Sequence, residues 1–221
     1  MKIETEQALL GQEPDMPGLS LLLDEQALLD VVQQQLPAAD ISRIRIDYLR
    51  YKPGTGCLAG LRVFDVLGRS QHAFARVLPR DSTAWPYQSR RLLKRSARDG
   101  RFSAHVLPAW HLLLASAVHD RRITALASLL HDPDMLTGHH SLPDDFRPWP
   151  APHGTTGLLQ DAPAALYDSR LFGQVLRYKP ERRLVMRLQQ DGRPRGLLRA
   201  CIEHDFEATL AGAQLAQTVQ S

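Results

Sequence analysis

The spacing of apolar positions changes period several times along the chain. From Leu21 to Leu36 they recur at helical spacing, through Leu28, Leu29, Val31, Val32 and Leu36. Asp24 is placed to cap that helix and Pro37 to end it. Between Ile41 and Tyr51 the period falls to two: Ile44, Ile46 and Tyr48 alternate with Arg45, Asp47 and Leu49, the pattern of a strand. Lys52-Pro53-Gly54-Thr55-Gly56 has the composition of a turn, Cys57 to Phe64 reads as a second strand, and His72 to Leu78, after Gly68, as a third. Asp81 or Ser82 then caps a helix running to about Arg98, stopped by Gly100. Val106 to Val118 holds one or two strands and Ile123 to Leu130 a short helix.

Met1 to Ser20, with Gly11, Pro14, Pro17 and Gly18, reads as an extended or loosely packed arm. Between Asp132 and Pro163 prolines and glycines are so frequent that the segment is a linker or a long loop. Strands return at Leu171 to Tyr178, Leu184 to Leu188 and Gly196 to Ile202. The first two are joined by a turn at Pro180 to Arg183, and a helix spans Asp205 to Val219. The expected organisation is an arm and helix (1–40), a first sheet–helix unit with connecting strands and a short helix (41–131), the Pro-rich linker or loop (132–170) and a second unit (171–221).

The second set of strands repeats the first. Leu49-Arg50-Tyr51-Lys52-Pro53 recurs as Leu176-Arg177-Tyr178-Lys179-Pro180. Each copy follows a strand pattern and leads into a turn, a strand, a second turn, a strand carrying an arginine, and a helix. Arg76 of the first copy corresponds to Arg199 of the second if the second turn is shorter in the later copy. Proline cannot donate to a ladder and therefore marks where the strand leaves its sheet. Tyrosine suits a half-buried pleated surface, with arginine and lysine on either side of it.

Composition narrows the class. The chain has 221 residues, 43% hydrophobic and 23% charged, enough apolar material for a real core. A formal net charge of +3 leaves only a local patch as a reason to expect nucleic acid, which is not favoured as a partner. Cys57 and Cys201 read as free thiols in a reducing compartment. The N-terminus lacks a secretory pattern and no apolar run reaches membrane-spanning length, so the expectation is a cytoplasmic chain without a membrane partner. His131, His139, His140 and His153 crowd the Pro-rich segment without a helical His pair or a nearby cysteine, and no metal site is assigned. Neither a nucleophile elbow nor a Gly-rich phosphate loop ending in Lys-Ser/Thr is present.

The order strand–turn–strand–turn–strand–helix resembles a protein-kinase-like small lobe. Leu176 to Arg183 with Leu184-Val185-Met186-Arg187, Leu49 to Gly60, and Asp120 to Ile123 with Leu126, Leu129 and Leu130 are similar to the N-terminal region of bacterial aminoglycoside-phosphotransferase-like proteins. The resemblance implies an α+β fold of two related antiparallel-sheet-plus-helix units. It also implies the nucleotide side of an ATP-dependent phosphotransferase acting on a small-molecule hydroxyl, with ATP and Mg²⁺ as cofactors. Arg199 falls where the family has its phosphate-contacting lysine, Glu207 (less so Glu203) where an acid would orient it, and Arg182, Arg183 and Lys179 at the turn over the phosphates.

The chain departs from the family in three ways. Arginine replaces lysine, the Pro180–Arg183 turn of the second copy lacks glycine, and the helix after Arg76 contains no acid. The family's catalytic loop is not matched at His119-Asp120 or His131-Asp132, so no catalytic residue is assigned. The chain reads as a fragment whose catalytic lobe is missing. The alternative is a non-catalytic interaction module for an anionic partner, nucleic acid or an acidic protein surface, using sheet edges or the basic helix with Arg90, Arg91, Lys94, Arg95 and Arg98.

Overall fold

The computed structural model describes residues 9–36, 40–96, 104–123, 171–190, 193–202 and 204–206. They fall into two compact units, the first comprising Met1–Asp120 with Tyr178–Pro180, the second Arg121–Arg177 with Glu181–Ser221. Within the described residues the chain is mixed α+β with antiparallel sheets, as the periodicities predict.

In the first unit five strands form one sheet: β1 (Ile41–Lys52), β2 (Gly56–Asp65), β3 (Ser70–Val77), β4 (Ala104–Leu107) and β5 (Leu112–Ser116), in the order β1-β2-β3-β5-β4. Every pairing is antiparallel. One face is covered by helix α1 (Glu25–Gln35) and the 3₁₀ turn Pro17–Leu22. Met16, Leu19, Leu22, Leu28 and Val32 share a core with Ala59, Leu61, Ala75, Leu112 and Leu114. Residues expected to form a loose arm are thus structural. Met16 and Leu19 are buried because the apolar face of the sheet needs more cover than one helix supplies. Asp24 caps α1 as its position predicts, accepting hydrogen bonds from the backbone N–H groups of Gln26 (2.9 Å) and Ala27 (3.0 Å).

The alternation expected through β1 breaks at Asp47. Ile44 and Ile46 lie opposite Val63 and Leu61, but the register then shifts, so that Tyr48 lies opposite Gly60 and Tyr51 opposite Cys57. One extra residue in a strand reverses the face of every residue beyond it. Tyr48 therefore leaves the face of Ile44 and Ile46, and Tyr51 joins the core instead. Asp47 itself is held by Arg45 (3.0 Å) and Arg62 (2.8 Å).

Helix α2 (Trp85–Ser96) starts later than Asp81 or Ser82. The segment before it forms a turn closed by Trp85 N–H to the Ser82 carbonyl (3.1 Å), and Pro86 sits in the first helical turn, where a missing N–H costs nothing. Trp85 stacks on His111, with ring centroids 4.5 Å apart.

A second sheet is formed by β6 (Leu171–Lys179), β7 (Arg183–Gln190) and β8 (Arg193–Cys201), in that order; all of it but the end of β6, Tyr178 and Lys179, belongs to the second unit. Leu184, Met186 and Leu198 are buried on one face. The two sheets place the repeated segments alike. β1 ends at Lys52 and β2 begins at Gly56, as β6 ends at Lys179 and β7 begins at Arg183. The residue after each proline has the same left-handed backbone, Gly54 and Glu181 both at φ 59°. Arg76 pairs with Leu58 as Arg199 pairs with Val185. Residues 124–130 of the predicted short helix, the Pro-rich segment with its histidines, and 207–219 of the predicted last helix lie outside the described residues. Among the described residues no helix is long and apolar enough to cross a membrane.

Candidate functional site

The repeated arginine sits in two different settings. In the first unit Arg76 is on β3, on the sheet face away from α1, between Leu58 of β2 and Leu113 of β5. Its Nη1 donates to Gln88 Oε1 of α2 (3.2 Å). The sequence holds no acid on that helix, and a neutral amide performs the orienting contact instead. Gln88 escaped the sequence reading, which sought a carboxylate; its position one helical turn inside α2 was the available signal.

The turn that precedes β2 is also engaged. Glu13 Oε1 accepts the Gly54 N–H (3.0 Å) and the Tyr51 hydroxyl. These bonds hold the Glu13 carboxyl below its ordinary range, the tyrosine bond contributing most and the glycine bond next. The same contact pushes the Tyr51 phenol up to about 12. A depressed carboxyl stabilises the fold above its unfolded pKa, and that stabilisation disappears as pH falls through the folded value. The urea midpoint of a Tyr51→Phe variant is thus expected to lie below that of the parent at about pH 7, with the gap closing on acidification below the ordinary Glu value of 4.5. A gap that persists undiminished into acid would rule out the carboxylate as the partner.

The repeat tyrosine of the second copy also ends on an acid. Tyr178, which belongs with Lys179 and Pro180 to the first unit and is buried there, donates its hydroxyl to Asp120 Oδ2 (2.9 Å) and meets His72 edge-on, with ring centroids 6.1 Å apart. Burial, then the Arg62 charge, lowers the His72 pKa to about 4, so the ring is neutral at ordinary pH. Glycine at position 60 lets this segment approach, since a Cβ there would stand 3.0 Å from Pro180 Cδ and 3.2 Å from the Tyr178 carbonyl oxygen. Lys179, expected at the turn over the phosphates, places its ammonium 5.2 Å from the centroid of the Tyr48 ring, a cation–π contact.

In the second unit the structure brings together Arg199 and Arg183. Arg183 lies opposite Cys201 and Arg199 opposite Val185, on the sheet face away from Leu184 and Met186. Arg183 Nε is shielded from solvent and has no hydrogen-bond partner among the described residues. The Cys201 thiol is raised chiefly by burial; Arg199 lowers it, Asp205 raises it and Arg183 lowers it. These four side chains are therefore electrostatic neighbours. Arg182 lies at the turn, its Nε 3.9 Å from Asp205 Oδ2, a loose and half-exposed pair. Glu207 and Glu203 lie outside the described residues. Both cysteines are free, and burial pushes the Cys57 thiol to about 12, which makes it inert.

A shielded guanidinium N–H without a partner, next to a second arginine, suits an oxyanion with several acceptor oxygens. The polyphosphate of ATP fits that donor set. Among the described residues no three His, Cys, Asp or Glu side chains gather to hold a metal. The chain matches no family model, no curated protein and no solved structure.

Proposed function

We propose that this chain is the nucleotide-side portion of an ATP-dependent phosphotransferase acting on a small-molecule hydroxyl, and that its second unit holds the phosphates. The observation that carries the reading is the shielded Arg183 Nε, without a hydrogen-bond partner among the described residues, beside Arg199. The first copy supports it by contrast. There the turn amide of Gly54 is taken by Glu13 and Arg76, the counterpart of Arg199, by Gln88, so that copy engages these donors with its own side chains. Arg199 and Arg183 bind and orient the phosphates, and Arg182 adds charge at the mouth of the turn. None of the described residues is assigned a proton-transfer role.

Titration calorimetry with ATP tests this reading. Micromolar to low-millimolar binding is expected. Arg183→Ala and Arg199→Ala should each weaken it by roughly 10- to 100-fold, the worth of a charge-assisted hydrogen bond. Arg76→Ala should change it less than about 3-fold. Binding that is absent, or indifferent to both second-unit substitutions, would overturn the reading.

A further inference from the structure

Helix α2 has two faces with different properties. Trp85, Gln88, Ser89 and Leu92 are partly buried, and through Gln88 and Trp85 this face meets Arg76 and His111. Tyr87, Arg90, Arg91 and Lys94 are exposed. Their spacings of three and four place them together on the opposite face. Tyr87 is 63% exposed, although an unpartnered surface would not favour so large a ring there. It is not loose: the Arg91 guanidinium lies 5.5 Å from the ring centroid and donates to the phenol oxygen (2.9 Å). The helix has no acid anywhere along Trp85–Ser96, so no cation on this face is neutralised from within it.

We infer that this face of α2 is a binding surface for single-stranded nucleic acid. Three cations along one helix face match the charge of consecutive phosphates, and the Tyr87–Arg91 stack offers a preformed π surface to an unstacked base. The chemistry favours this partner over others. An anionic membrane surface calls for a broad apolar face, and the face shared by Tyr87, Arg90, Arg91 and Lys94 carries no aliphatic side chain. An acidic polypeptide would use the cations and leave the aromatic ring without a role. A duplex keeps its bases stacked and away from Tyr87. The inference does not depend on the nucleotide reading, which concerns residues of the other unit.

The test is fluorescence anisotropy of the full chain with a labelled mixed-sequence single strand of about 16 nucleotides. With three phosphates neutralised, the affinity should fall roughly 15- to 20-fold between 50 and 200 mM salt. An Arg90→Ala/Arg91→Ala/Lys94→Ala variant should flatten that dependence. Tyr87→Phe should retain binding, whereas Tyr87→Ala should lose roughly 5- to 100-fold and keep most of the salt slope, since stacking carries no charge. All four positions are exposed, and circular dichroism of each variant should match the parent. The inference is overturned if the strand does not bind at 50 mM salt, if the triple variant binds as the parent does, or if duplex DNA or anionic vesicles compete as well as the single strand. ATP affinity should be unchanged in the triple variant, so failure here and failure of the nucleotide reading are separate results.

Discussion

Leu114→Ala is expected to lower the stability of the first unit by about 3 to 4 kcal/mol. Leu114 is fully buried on β5, a strand with neighbours on both sides, and belongs to the core built by the Pro17–Leu22 turn and α1. Truncation removes the burial of the isobutyl group and leaves a cavity that a sheet paired on both sides closes poorly. Such a loss is a large share of the stability of a domain this size, and it should move the melting temperature by roughly 10 to 20 °C. Equilibrium urea unfolding measures it. Leu197→Ala is the control: that leucine is 69% exposed, and its loss should cost under about 0.5 kcal/mol. Equal effects from the two substitutions would show that the core is not where the structure places it.

Gly56→Ala is expected to be comparably damaging, at about 3 kcal/mol or more, for a backbone reason. Gly56 has φ +146°, a conformation that L residues rarely adopt, and a Cβ there would stand 2.5 Å from the Val77 carbonyl oxygen. The start of β2 would have to move away from the end of β3. Gly54→Ala should cost only about 1 kcal/mol. Its φ is +59° with nothing within 4 Å of the added carbon, and the second copy carries Glu181 in the same conformation. Thermal and urea unfolding of the two variants side by side measures the contrast. If Gly54→Ala proved the worse, the two glycines would have exchanged roles and the register at the β1–β2 turn would be wrong.

The two glycines also show how far sequence reasoning reached. Lys52 to Gly56 was legible as a turn because proline and glycine restrict local backbone geometry irrespective of the rest of the chain. Which glycine lies against β3 was not legible, because that depends on the approach of Val77, far away in sequence. The same holds for the candidate site. Arg199 could be singled out by its place in the repeat, and Arg183 by the family resemblance of the turn it ends. That Arg183 Nε is shielded without a partner among the described residues, while Arg76 is tied to Gln88, follows from side chains meeting across strands and from a helix packing on a sheet. Lys179 was expected to face phosphate, and its cation–π contact with Tyr48 depends on the bulge that turned Tyr48 to that face.

From sequence alone, the periodicities of two and of 3.6 determined the strands β1 to β3 and β6 to β8 and the helix α1. The repeated Leu-Arg-Tyr-Lys-Pro determined that two sheets would share one turn geometry, and Asp24 determined where α1 begins. These are matters of neighbours in the chain, decided by backbone sterics and local hydrogen bonds. Only the tertiary structure decided that residues before Ser20 belong to the core, that the strand alternation reverses at Asp47, and that each repeat tyrosine ends on a carboxylate, Glu13 or Asp120. Those outcomes depend on how much apolar surface remained to be covered and on which distant polar groups arrived beside it, and no window of local sequence contains either quantity.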